Sequence, residues 1–174
     1  MRTILFATTL FIIINSLTYS QEYGSKSQFK VNGVISFGAT KSEIISTLGR
    51  PTREQNGYNE MDEIDVLIMW YRGCKLFIEE EKLVSFEFYD PTLYIQYGSY
   101  KFRVNDLISV FKPAFPISYN QRHMNLDNPD FPPTMVINLK DIANSTEEVP
   151  IDEFIYIEFS SSSLRITSIS QRTY

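Results

Sequence analysis

Three kinds of residue in this sequence could do chemistry: a lone thiol and imidazole, a set of clustered carboxylates, and a heavy load of aromatic rings. The chain has one Cys and one His. A cysteine nucleophile needs a base, and His123 is the only imidazole that could serve Cys74. His123 lies in a polar, proline-flanked stretch with nothing to orient it. Cys74, between Gly73 and Lys75 at the start of a strand-like run, reads as a small buried hydrophobe. The carboxylates gather in Glu60-Met-Asp62-Glu63-Ile-Asp65, Glu79-Glu80-Glu81, Glu147-Glu148 and Asp152-Glu153. The first run lacks the residue order of a calcium loop, and all four read as solvated surface. Paired carboxylates that cleave glycosides stand about 5–9 Å apart across a cleft, a separation that this spacing does not define. The motifs of serine hydrolases, zinc proteases, phosphate loops and thiol redox sites are missing. With a single Cys and a single His, neither an internal disulfide framework nor a His-based metal site is expected. No catalytic residue, metal or cofactor is expected.

The aromatics are the stronger signal. Thirteen Phe, 11 Tyr and one Trp make 14% of the 174 residues. Many fall on strand-like segments, where most would fill the core. A sheet with helices on one face buries only that face, and by alternation Trp70, Phe77, Tyr89 and Tyr156 fall on the other. Large rigid rings are enriched at binding hot spots, so these four are the candidate partner-binding residues. The net charge of −5 disfavours a nucleic-acid partner, which needs a basic surface.

The elements that must position these rings follow from pattern. Residues 29–37 are strand-like with a turn at Asn32-Gly33. Thr40-Lys-Ser-Glu43 is a capping box. Ile44, Ile45 and Leu48 make one apolar helix face, with Gly49 and Pro51 ending it. Residues 52–62 are polar, contain the turn dipeptide Asn56-Gly57, and read as a loop. Runs at 64–71, 74–79 and 83–89, separated by tight turns, predict an antiparallel meander.

The second half follows the same order. A strand-like stretch at 93–102 precedes a helix at 104–111, and an offset of 63 superposes Glu43-Ile-Ile-Ser46 on Asp106-Leu-Ile-Ser109. Strand-like runs follow at 135–139, 154–159 and 164–170. The expected fold class is α+β: two tandem helix-plus-antiparallel-meander units, at 29–90 and 91–174, sharing or abutting one sheet. A long loop at 114–134 interrupts the second unit. Asn144-Ser145-Thr146 matches an N-glycosylation sequon, meaningful only in a eukaryotic secretory host.

Residues 1–20 read as an export signal. Arg2 is followed by an apolar run at 4–17, and Thr18 and Ser20 place small residues before a cut at Gln21. The run is short for a membrane span of ~30 Å. Residues 21–28 are then a flexible leader. The expected location is periplasmic or extracellular, with no stable membrane anchor after cleavage.

The segment Gly38-Ala-Thr-Lys-Ser-Glu-Ile-Ile-Ser-Thr-Leu-Gly-Arg-Pro-Thr52, followed by a meander, resembles two related groups: the SmpA/OmlA-type outer-membrane-assembly lipoproteins and the β-lactamase-inhibitor-protein fold. Secreted proteins of Bacteroidetes-type bacteria also look like this chain from leader to tail. The resemblance implies a tandem fold whose aromatic sheet face clasps another protein. The lipoproteins carry an acylated Cys at the mature N-terminus and the inhibitors carry disulfides; this chain has neither, so the fold transfers better than either function. The expected function is a non-enzymatic protein-binding module, inhibitor- or immunity-like or envelope-assembly-like. The alternative is a carbohydrate-binding protein or a carboxylate-based hydrolase.

Overall fold

The computed structural model describes residues 21–59, 64–124, 131–142 and 147–173. The proposed export signal, most of the first acidic run and the sequon lie outside them. Among the described residues no helix is long and apolar enough to cross a membrane.

Among the described residues twelve strands and two α-helices follow the order β1 (Tyr23–Ser25), β2 (Phe29–Val31), β3 (Ile35–Ser36), α1 (Lys41–Leu48), β4 (Arg53–Asn59), β5 (Ile64–Tyr71), β6 (Cys74–Glu79), β7 (Lys82–Phe88), β8 (Ile95–Tyr97), β9 (Tyr100–Phe102), α2 (Pro116–Asn120), β10 (Thr134–Ile142), β11 (Glu148–Phe159) and β12 (Ile166–Thr173). Eight strands form one sheet in the order β1-β10-β11-β12-β7-β6-β5-β4, and β3-β2-β8-β9 form a smaller one. Two antiparallel meanders, β4 to β7 and β10 to β12, are joined where β12 pairs β7 through Ile169–Phe88 and Ser170–Glu87.

The α+β expectation is corrected. Strands take 53% of the structure and helices only 15%, so the protein is mostly β. The helix α1 forms as its local signals require. Thr40 Oγ1 accepts from the Glu43 amide, and Glu43 Oε2 accepts from the Thr40 amide at 2.7 Å. The second expected helix, 104–111, does not form. Asn105 takes φ +77°, and only a 3₁₀ turn appears at Ile108–Phe111. The backbone that would have started the helix is engaged by a distant segment. Asn105 N–H donates to the Ile166 carbonyl, Ile166 N–H to that of Asp106, and Ile108 N–H to that of Leu164, at 2.8–2.9 Å. The region before α1 exchanges similar bonds with β7, Gly38 N–H to Leu83 O and Leu83 N–H to Ala39 O, yet there a capping box follows.

Three further expectations change. The segment 52–62 is not simply a loop, because Arg53–Asn59 form edge strand β4, paired with β5 in unbroken register. Its polarity reflects an exposed edge rather than a turn. The leader at 21–28 is not loose. β1 runs parallel to β10, and Gly24 and Ser25 are buried. Gly24 is required there, since a Cβ would come 2.7 Å from the Phe29 ring. The stretch 93–102 is a hairpin, β8 and β9, turning at Gly98 with φ +57°. The long loop 114–134 contains α2, and His123 bridges back to Thr134.

One face of the large sheet carries the core. Met69, Leu76, Phe86, Phe88, Ile155 and Ile169 pack against Phe29 and Ile35 of the small sheet, Ile44 of α1 and a ring cluster of Phe102, Phe111 and Phe115. The Phe102 and Phe111 rings stack 3.9 Å apart. Each buried Phe excludes water from a large apolar area, about 2–3 kcal/mol apiece.

Candidate functional site

The opposite face of the large sheet holds the candidate rings. The β5–β6 turn, Arg72-Gly73, pairs Tyr71 with Cys74 and therefore Trp70 with Lys75. Alternation puts Cys74, Leu76 and Ile78 in the core and Lys75, Phe77 and Glu79 on the outer face. The ladder continues Arg53–Trp70–Lys75–Glu87–Ser170–Tyr156–Val136 across seven strands. Ser168 and Ser170 are small and become buried among longer neighbours.

Lys75 organises the centre of this row. Its Nζ lies 2.7 Å from Glu87 Oε2, 4.9 Å from the Trp70 ring centroid and 5.5 Å from that of Tyr89. Tyr89 Oη reaches Glu87 Oε2 at 3.4 Å. The Arg53 guanidinium covers the Trp70 ring from the other side of the row, at 5.9 Å. Each cation–ring contact is worth roughly 0.5–1 kcal/mol at a partly exposed site. Their joint effect is to hold two large rings in fixed positions. Tyr89 remains 49% exposed, and Trp70 is half-buried. The indole Nε1 of Trp70 is buried without a hydrogen-bond partner among the described residues. A buried donor left unpaired costs about 1–3 kcal/mol.

Of the four sequence-derived residues, Trp70 and Tyr89 are brought together by Lys75. Phe77 sits two residues along β6, between Ile68 and Ser85. It lines a shallow groove of about 280 Å³ with Gly57, Tyr58, Val66, Ile68, Glu79 and Ser85. Tyr156 shares the ladder row but stands four strands from Trp70, about 19 Å away. Its ring lies 6.1 Å from Phe154. The sequence reading passed over Lys75, Glu87 and Arg53. The two-residue turn at Arg72-Gly73 already implies the Trp70–Lys75 pairing.

The thiol and imidazole are not assembled. Cys74 is buried on the core face and donates to Asp90, with Sγ 3.4 Å from Oδ1. Burial, reinforced by the Asp90 charge, pushes this thiol up to about 12. His123 is tied to Thr134 at the start of β10, four strands from β6.

Burial opposes the charge on Asp90, but the Thr92 and Gly73 amides outweigh it and hold the carboxyl below its usual range. Two carboxylates expected to be solvated, Glu148 and Glu153, have structural partners. Glu148 accepts from Ser25 Oγ and pairs with Lys140 at 2.9 Å, and these contacts lower its pKa. Glu153 pairs with Lys26 at 2.7 Å and accepts from Gln171 Nε2. Among the described residues no three of His, Cys, Asp and Glu cluster as a metal site would require.

Compared with protein-family models, with curated proteins and with solved structures, the chain matches none.

Proposed function

We propose that this protein is an exported, non-enzymatic binding module that grips another protein through the outer face of its large sheet, in an inhibitor- or immunity-like or an envelope-assembly-like role. The observation that carries this reading is the fixed Trp70–Lys75–Tyr89 array on a continuous eight-stranded sheet, with Tyr89 49% exposed. Pre-set rings lose little entropy on binding and offer wide apolar contact. The resemblance of the capping-box segment to the clasping inhibitor fold points the same way. The test is capture from native envelope and culture fractions on immobilised residues 21–174. A stoichiometric partner that is retained by the native protein and lost with Trp70→Ala or Tyr89→Ala is the expected result. Capture unaffected by either variant, or binding to a glycan panel in place of a protein, overturns it.

A further inference from the structure

The geometry points to edge strand β4 as a strand-addition site for an extended peptide segment of the partner, with an apolar side chain seated beside Gly57 and a carboxylate facing Arg53. This rests on the protein-binding reading above and names how the partner enters.

Four observations converge on β4. First, its inner edge pairs with β5 over seven consecutive residues without a bulge, while among the described residues no strand pairs its outer edge. Proteins usually blunt such an edge with charged side chains, Pro, a bulge or brevity. β4 is charged only at its start, Arg53 and Glu54, and from Gln55 to Asn59 carries no charge, no Pro and no bulge, whereas the opposite edge, β1, is only three residues long.

Second, Gly57 sits in the middle of a strand, where glycine is unfavourable. Nothing local demands it. Its φ is not in the left-handed region, and a Cβ would meet only ordinary contacts, Ile68 Cδ1 at 3.6 Å and Val66 O at 3.8 Å. What glycine does provide is an opening from the edge into the groove of about 280 Å³ floored by Val66, Ile68 and Phe77.

Third, charge differs along the edge and the groove behind it. Arg53 stands at one end of β4, its guanidinium donating to Gln55 Oε1 at 2.8 Å with no carboxylate at ion-pair distance among the described residues, while Glu79 of β6 lines the groove beside Gly57. A carboxylate on the incoming strand belongs opposite Arg53, and an uncharged side chain belongs opposite Gly57.

Fourth, a second copy fits less well. Full-length antiparallel pairing of two β4 strands sets Asn56 against itself and Gln55 against Gly57, so an amide would cover the apolar groove. A foreign strand carries no such penalty.

The probe is the capped peptide Thr-Thr-Phe-Thr-Thr-Thr-Glu. In antiparallel register its Phe faces Gly57 and its Glu faces Arg53. The control exchanges the Phe and the Glu. Amide and methyl NMR of residues 21–174 should show shifts confined to β4, Val66 and Ile68, with the control at least about tenfold weaker. Gly57→Val fills the opening with a strand-favouring residue. It should leave the melting temperature equal or higher and weaken the probe at least about tenfold. The proposal is overturned if the probe causes no shifts at about millimolar concentration, if the shifts lie elsewhere, if the two peptides bind alike, or if only self-association is lost in Gly57→Val. The two readings separate by crossed variants. A native partner lost with Trp70→Ala but retained by Gly57→Val leaves the sheet-face reading standing and sinks strand addition. Loss with Gly57→Val alone does the reverse.

Discussion

Trp70 and Lys75 face each other across the β5–β6 hairpin, with the ammonium 4.9 Å from the indole centroid. Because Trp70 is the only tryptophan, its emission reports on the outer face alone. Lys75→Met keeps most of the side-chain stem and removes the charge. It should raise acrylamide quenching of Trp70 and loosen Tyr89, while costing about 1–3 kcal/mol in urea unfolding, because it removes two cation–ring contacts and a partly buried ion pair. A core substitution such as Phe86→Ala should cost about 3–5 kcal/mol by the same measurement. Equal losses for the two would mean that the array serves the fold rather than a surface.

The β6–β7 turn stores strain that can be relieved. Glu80 and Glu81 both take positive φ, +46° and +65°. A two-residue hairpin of this kind favours Asn-Gly, because side chains with a Cβ are crowded there. Two adjacent carboxylates also repel. Replacing the pair through Glu80→Asn with Glu81→Gly should stabilise the protein by about 1–2 kcal/mol, read as a higher urea midpoint with an unchanged slope. An unchanged midpoint would mean that contacts made by Glu80 or Glu81 offset the strain.

The alkaline limb of stability is set partly by groups on the core face. Cys74 ionises near 9.0 when unfolded but is pushed up to about 12 by burial. Tyr71, whose Oη donates to the Gly49 carbonyl, moves from 10.0 to about 12, chiefly through burial and secondarily through Glu54. Both folded pKa values are raised, so the native state holds protons that the unfolded chain releases. Their stabilising effect is complete below pH 9.0 and is lost as pH climbs toward about 12. Cys74→Ala should flatten the first part of that decline, in urea midpoints measured across the range. Thiol labelling of native Cys74 should proceed no faster than unfolding.

Local chemistry made some of this legible. The capping box wrote α1 into four residues, and the short turn at Arg72-Gly73 set Trp70 against Lys75. Non-local contacts hid the rest. Residues 104–111 carry a helical pattern, but their first backbone groups bond to 164–166, some sixty residues away. β4 reads as a loop because an edge strand needs no apolar face, and Asn56-Gly57 is held extended by its pairing with Leu67 and Val66. Tyr156 joins the row of Trp70 only because β12 pairs β7, a junction that no local pattern announces.

The N-terminal strand is held by a clasp that responds to acid. Ser25 Oγ donates to Glu148, and Lys140 pairs with the same carboxylate at 2.9 Å. The Ser25 hydrogen bond, then Lys140, lowers the Glu148 pKa below its usual 4.5. A lowered carboxylate stabilises the fold above its unfolded pKa, and that contribution is lost as pH falls through the folded value. Lys140 is raised above 10.5 by the same contact, so its share is lost only as pH rises past that range. The clasp is therefore intact across neutral pH and opens first on the acid side, below about pH 4.5. Hydrogen exchange at Gly24 and Ser25, whose backbone runs beside Leu139 and Lys140, should accelerate there relative to the centre of β11. In Glu148→Gln the exchange should already be faster at neutral pH and should lose this acid dependence. If β1 stays protected at low pH in the native protein, the parallel pairing with β10 and the contacts at Glu22 and Lys26 hold it, and the Glu148 carboxylate is incidental.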